Sequence, residues 1–310
     1  MKKGLFILIP VIILAVYMSR PVILPANQDF GSLALELQTP AEEKAVVVSI
    51  ATVPEKILQG DPVLIKINGL KGTSTIRALN FENKPVGIFV ENGQPQALGG
   101  VDLRMRTGRH PISLTLTDGR VIQQDLIVGE RAIAKIPLGI PESLGGNTTE
   151  SEKELAESLV KEGQLINSID SSKERLWSGK FRYPLNGEIV VTDVYGYSRV
   201  TVGSTFSHKG SDFRAAVGTN VYAMNSGTVA YVGYLRNYGN TIVIDHGLGL
   251  QTIYMHLSKR SVVKDQKVEK GSLIATSGDT GYVLGPHLHL SVKIDHVSID
   301  PEKFMKLLGE

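Results

Sequence analysis

Gly285-Pro286-His287-Leu288-His289 is the stretch on which the reading of this chain turns. Proline is tolerated at the first position of a β-strand, and residues two apart in a strand point to one face. As a strand, this segment therefore projects His287 and His289 side by side into one cleft, where one imidazole can hold a metal while its neighbour handles a proton. Working outward, Val190-Val191, Val221-Tyr222-Ala223, Thr228-Val229-Ala230-Tyr231-Val232, Thr241-Ile242-Val243-Ile244 and Thr252-Ile253-Tyr254-Met255 alternate or run apolar, with glycine-containing turns between them. This pattern predicts an antiparallel β-sheet unit over 177–310, with little helix beyond a short segment after Pro301. Nine of the ten tyrosines lie at or beyond Tyr183, which marks this unit as differently built from what precedes it.

Two further phrases carry chemistry. Ser207-His208-Lys209-Gly210-Ser211-Asp212 places a nitrogen and an oxygen donor four residues apart around a glycine, and Tyr254-Met255-His256-Leu257 puts an imidazole in a third apolar strand. His208, Asp212, His256, His287 and His289 together supply three ligands of the kind zinc accepts and two spare imidazoles. Three protein ligands leave a tetrahedral ion one open position for water, which suits hydrolysis. Asp245-His246 looks like a second catalytic pair. Adjacent strand residues point to opposite faces, and Gly247 follows, so a strand-end turn is the better reading. His110, ahead of Pro111 and without partners, reads as a turn residue rather than a ligand.

The first half of the chain is a different construction. Val46-Val47-Val48, Val63-Leu64-Ile65-Lys66-Ile67, Gly87-Ile88-Phe89-Val90 and Ile112-Ser113-Leu114-Thr115-Leu116 read as strands. Asn68-Gly69, Asn92-Gly93 and Asp118-Gly119 supply turns, the last of them a hairpin signal. A small β-sandwich over 45–133 is expected. Leu58-Gln59-Gly60-Asp61-Pro62-Val63 resembles the early strands of bacterial immunoglobulin-like domains, without their usual cysteines or a tyrosine corner. Residues 134–149, rich in proline and glycine, read as a linker. Thr149 and Glu152 then suggest a capping box for a helix running to about Ser168, with Leu155, Ala156, Leu159, Val160 and Ile166 as its apolar stripe. Linker and connecting helix together occupy 134–176.

Residues 26–44 read as a tether. Lys2 and Lys3 followed by the apolar run Leu5–Met18 predict an export signal over 1–25. With no Ala-x-Ala-like cleavage site after it, the segment is read as a membrane anchor in preference to a cleaved leader, which puts the remainder in the cell envelope, outside the cytoplasm. Hydrophobic content of 42% and charged content of 21% fit packed cores, and a net charge of +2 gives no argument for nucleic acid. The absence of cysteine excludes disulfides, zinc-thiolate sites and a cysteine nucleophile.

From about Tyr183 to Pro301 the chain resembles the lysostaphin-type zinc endopeptidases that cut bacterial peptidoglycan. The phrases that carry the resemblance include His208-Lys209-Gly210-Ser211-Asp212-Phe213, Tyr238-Gly239-Asn240, Asp245-His246-Gly247, Tyr254-Met255-His256-Leu257-Ser258, Gly278-Asp279-Thr280-Gly281 and Gly285-Pro286-His287-Leu288-His289, in the family's order. The resemblance implies a mainly β metallopeptidase domain of the duplicated hybrid motif type. It implies one zinc ion per catalytic domain, held by His208, Asp212 and His289, with His256 and His287 as the catalytic histidines. One of these would be the general base; the other would stabilise the oxyanion or orient the attack. Tyr195 and Tyr197 are candidates for the family's tyrosine near the cleft. The implied partner is peptidoglycan. Relatives that became non-catalytic activators of a separate cell-wall amidase have lost zinc ligands, and the five positions here are intact.

Overall fold

Alternating apolar residues and positive-φ turns fold the first half into two stacked sheets. The computed structural model describes residues 47–137, 139–140, 145–200 and 205–310. The expected anchor over 1–25 and tether over 26–44 lie outside the described residues. Among the described residues no helix is long and apolar enough to cross a membrane.

The strands β1 (Ser49–Val53), β2 (Ile57–Leu58), β3 (Pro62–Asn68), β4 (Ile76–Phe81), β5 (Lys84–Pro85), β6 (Ile88–Glu91), β7 (Gln94–Gly100), β8 (Gly108–Leu116) and β9 (Val121–Gly129) form the sandwich. One sheet has the order β1-β3-β7-β6 and the other β2-β9-β8-β4-β5. Val63, Ile65 and Ile67 of β3 meet Ile112, Leu114 and Leu116 of β8 in a shared core. The β8–β9 hairpin closes at Asp118-Gly119 as expected, with Gly119 at φ +89°. Two expectations need correction. The first described strand starts at Ser49, and Val47 and Val48 lie outside it. His110 lies within β8, not in a turn. It is buried, with Nδ1 2.8 Å from Glu82 Oε1 and Nε2 2.7 Å from the Arg106 carbonyl.

Residues 134–149 are more than a linker. They contain β10 (Lys135–Pro137), and Ile140 is buried against Leu155, Phe206 and Tyr282. The Tyr282 hydroxyl donates to the Gly139 carbonyl at 2.6 Å. The helix α1 (Thr149–Asn167) is capped one residue earlier than expected: Thr148, not Thr149, is the N-cap, and its hydroxyl accepts from the Ser151 N–H. The buried face of α1 carries Leu155, Glu162 and Ile166, whereas Val160 is exposed. Ile166 packs with Leu235, Val243, Ile253 and Met255, so α1 lies on the C-terminal sheet.

The strands of the C-terminal body are β11 (Val191–Asp193), β12 (Ser198–Val200), β13 (Thr205–Ser207), β14 (Ser211–Arg214), β15 (Asn220–Tyr222), β16 (Gly227–Leu235), β17 (Gly239–Gly247), β18 (Leu250–Arg260), β19 (Lys267–Val268), β20 (Leu273–Ser277), β21 (His287–Ile294) and β22 (Val297–Ile299). The short α2 (Pro301–Leu308) follows, capped by Asp300. The main order is β11-β14-β21-β18-β17-β16-β19, antiparallel, with β10, β12 and β13 as a separate three-stranded sheet. β10 pairs with β12 in parallel.

The sandwich and the C-terminal sheet belong to one compact unit, Val46–Glu310. On β3 and β7, Val63, Ile65 and Ala97 enter the sandwich core. Leu64 and Leu98 enter the core of the C-terminal body. Phe89 meets Trp177 edge-on at 5.3 Å. The β1-β3-β7-β6 sheet thus contributes apolar side chains to both cores, and β7 is buried along nearly its whole length.

Candidate metal centre

β14 and β21 pair in register with Asp212 opposite His289. Directly opposed residues of an antiparallel pair carry their side chains on the same face, about 5 Å apart. His208 follows β13, and its backbone is fixed by reciprocal bonds: its N–H donates to Tyr197 O and its carbonyl accepts from Gly196 N, each 2.9 Å. The result is a cluster of three donor atoms. Asp212 Oδ1 lies 3.1 Å from His208 Nε2 and 2.8 Å from His289 Nδ1, and the two nitrogens are 3.1 Å apart. These are the three residues whose donor atoms could hold one ion.

The surroundings fix which atoms face inward. His208 Nδ1 donates to the Val194 carbonyl at 3.0 Å, so Nε2 turns a lone pair toward Asp212. His289 Nε2 meets the Ser291 hydroxyl at 2.9 Å, which leaves Nδ1 for the cluster. A carboxylate oxygen and an imidazole lone pair this close repel unless a proton or a cation lies between them. The donor set, two imidazole nitrogens and one carboxylate, is one that zinc accepts. Gly210 makes the packing possible: a methyl group there would overlap His289 Nε2 and the Leu290 carbonyl. Burial alone would raise the Asp212 carboxyl; the close imidazoles of His208 and His289 outweigh it and hold it well below the usual carboxylate range. Burial also lowers the His289 imidazole.

His287 and His256 stand beside the cluster. His287 Nδ1 donates to the Gly285 carbonyl at 2.9 Å, and its Nε2 is 3.7 Å from Asp212 Oδ2. His256 Nδ1 donates to the Thr280 carbonyl at 2.8 Å. Each imidazole therefore keeps Nε2 as a proton acceptor. The rings are 4.8 Å apart, and His256 is 6.0 Å from His289. Burial, followed by the neighbouring imidazoles, pushes His256 down to about 3.

The position of His256 depends on an irregularity. On β21, Leu288, Leu290 and Val292 enter the main core, so His287, His289 and Ser291 take the other face. On β18, Tyr254 enters that same core, while Ile253 and Met255 join the cluster on the histidine side. Strict alternation would send His256 inward with Tyr254. Instead, three steps along β18 (Tyr254 to Leu257) face two along β17 (Ile242 to Asn240), and His256 adopts φ +58°. This β-bulge re-aims the imidazole to the metal face.

Tyr197 and Tyr195 part company. The Tyr197 ring lies 4.8 Å from that of His208, and its hydroxyl accepts from Arg199 Nη2 at 2.6 Å. Burial pushes this phenol up to about 12. Tyr195 turns away and donates to the Ser298 carbonyl at 2.8 Å. Asp245 and His246 also point apart: Asp245 accepts from Ser171 and Ser172, while His246 is buried between the Ser226 carbonyl and the Thr252 hydroxyl. Thr280 and Ser291, which orient two of the histidines, were not singled out from sequence. Ser291 had a signal, since it follows His289 by two residues and so shares its strand face. Thr280 lies in a loop, where no periodicity points to it.

Residues 206–301 match the sequence profile of Peptidase family M23. The chain carries a Peptidase M23 domain. It is 40% identical over 131 residues to an uncharacterized metalloprotease of Haemophilus influenzae, covering 41% of this chain and 28% of that one. It is 36% identical over 139 residues to the peptidoglycan DD-endopeptidase ShyA of Vibrio cholerae, covering 44% and 32%. The chain thus spans about a third of the length of the curated relatives it matches. A solved M23-type peptidase structure from Pseudomonas aeruginosa superposes with a TM-score of 0.57 at 23% identity, covering 81% of this chain and 95% of that chain. That likeness is one of fold. It extends beyond the M23 domain, whose matched residues end at Pro301 and begin only at Phe206.

Proposed function

We propose that this chain is a zinc-dependent endopeptidase that hydrolyses peptide bonds in bacterial cell-wall peptidoglycan, acting in the cell envelope. The observation that carries the reading is the convergence of the His208, Asp212 and His289 donor atoms beside two imidazoles whose Nε2 atoms are kept free by backbone carbonyls. Zinc held there would acidify a water molecule and polarise the scissile carbonyl. His208, Asp212 and His289 would bind the ion. Val194 and Ser291 would hold the first and last of these in the tautomers that binding needs.

His256 and His287 divide the proton work. Each offers a neutral Nε2, so one can take a proton from the attacking water. The other, once protonated, can donate to the developing oxyanion or to the leaving amine. The burial of His256 favours its neutral, accepting form. Tyr197 sets its ring against that of His208, at 4.8 Å and tilted by 35°. A non-catalytic activator of another wall enzyme would not need five intact, mutually oriented groups, and the donor set counts against that alternative.

The deciding experiment incubates zinc-loaded protein with purified peptidoglycan sacculi, with and without a chelator, and identifies released fragments by mass spectrometry. Chelator-sensitive release of peptide-cleaved fragments is expected, and their masses would name the bond. Intact sacculi after incubation with zinc-loaded protein would sink the endopeptidase reading.

A further inference from the structure

The connecting helix carries a group that packing does not require. Glu162 belongs to the buried face of α1, where it is only 7% exposed. An isolated carboxylate in such a place costs several kcal/mol to desolvate, and a leucine would have continued the apolar stripe of Leu155 and Ile166. Among the described residues no lysine or arginine pairs with Glu162; Arg236, next to Asn237 in the facing turn, pairs with Glu154 instead. All its hydrogen bonds go to one residue. Both carboxylate oxygens accept from the Asn237 backbone N–H at 3.1 Å, and Oε2 accepts from Asn237 Nδ2 at 3.0 Å.

Asn237 is the middle residue of the turn between β16 and β17, and that turn holds His256 in two ways. The next residue, Tyr238, accepts the His256 main-chain N–H on its carbonyl at 2.9 Å, which anchors the bulge. The Asn237 carbonyl itself accepts from Tyr282 N at 2.8 Å, and Asn240 N donates to Thr280 Oγ1 at 3.0 Å. The loop so docked presents the Thr280 carbonyl that holds His256 Nδ1. Main chain and imidazole of His256 are therefore both tied to the turn that Glu162 grips.

We propose that Glu162 is a positioning residue for the reaction: by locking the Asn237–Asn240 turn it fixes the orientation of the His256 imidazole. The inference rests on His256 handling a proton, as proposed above. It makes α1 part of the catalytic scaffold and not merely a link between two bodies.

The test compares zinc-loaded full-length protein with Glu162→Ala, Glu162→Gln and the surface control Glu157→Ala, an exposed position of α1. The substrate is a cross-linked muropeptide dimer purified from sacculi. Displacements of the order of 1 Å cost up to about 100-fold in rate, so Glu162→Ala should lower kcat roughly 10- to 100-fold. KM and zinc stoichiometry should stay as in the wild type. Glu162→Gln, whose amide oxygen can still accept from the Asn237 backbone, should recover most of the rate, and Glu157→Ala should lose none. A second readout is independent of turnover: ¹⁵N resonances of the His256 ring should report one Nδ1–H tautomer in the wild type and a mixture in Glu162→Ala. Wild-type kcat per folded, zinc-loaded molecule in Glu162→Ala, or an unchanged His256 tautomer, overturns the proposal. A tautomer change in a protein whose wild type cleaves nothing would support the positioning role while removing the endopeptidase reading.

Discussion

His246 shows how a histidine next to an aspartate can be structural. It is fully buried, edge-on to Phe181, and held between Ser226 and Thr252. Burial pushes it down to about 4 from an ordinary 6.5. On acidification the unfolded chain takes up this proton first, so the contribution to stability is complete above about pH 6.5 and is lost as the pH falls to about 4. A shift of this size corresponds to roughly 3 kcal/mol. Urea midpoints measured from pH 7 to pH 4 should fall, and more steeply than in His246→Gln; equal slopes would remove His246 as the cause. The site histidines separate differently. His289→Ala deletes a donor atom of the cluster and should lose both zinc and activity. His287→Ala should keep most of its zinc and lose turnover by about 10²- to 10⁴-fold, the usual range for a lost acid–base group. Metal analysis alongside turnover distinguishes them, and stoichiometric zinc in His289→Ala would refute its assignment as a ligand.

At the level of elements, the sequence made some of the site legible and hid the rest for identifiable reasons. The Asp212–His289 pairing follows from two strands whose alternation is regular, and the His287/His289 spacing gives their common face directly. His256 could be found by type but not by direction, because alternation sends it into the core. Only the bulge turns it out, and nothing in Tyr254-Met255-His256-Leu257 announces a left-handed residue there, a place usually given to glycine. The α1 cap was misplaced by one residue because Thr148 and Thr149 offer the same chemistry, and β10 was hidden in a proline- and glycine-rich stretch with no alternation to read. The bulge makes its own prediction. A Cβ in the left-handed region costs about 1–2 kcal/mol, so His256→Gly should be more stable than His256→Ala by about 1 kcal/mol, both being inactive. Unfolding of the two zinc-free variants in urea checks this, and an alanine variant as stable as the glycine one would argue for a relaxed backbone at this position.

Across the whole molecule, the sandwich is fastened to the strand that bears the site. Arg131, just past β9, donates from Nη2 to Asp61 Oδ1 at 2.6 Å and from Nη1 to Asp300 Oδ2 at 3.0 Å. Its Nε donates to the Gln59 carbonyl, and the Asp300 N–H donates to the Gly60 carbonyl at 2.8 Å. Asp300 also caps α2 and follows β22, which pairs with β21, the strand of His287 and His289. One guanidinium thus neutralises two buried carboxylates, one from each body. This long-range closure was invisible in sequence, since Asp61 and Asp300 are 239 positions apart and neither carries a local pattern. Arg131→Ala would leave both aspartates buried without a partner, and breaking a buried ion pair from one side costs about 3–5 kcal/mol. Trp177, the only tryptophan, packs on Phe89 at this interface and reports on it directly. Its fluorescence in urea should show the unfolding free energy of Arg131→Ala lowered by that amount, with Trp177 exposed together with the loss of far-UV β signal. If Trp177 is exposed first, while the β signal persists, the two bodies unfold separately and the Arg131 triad is not what couples them.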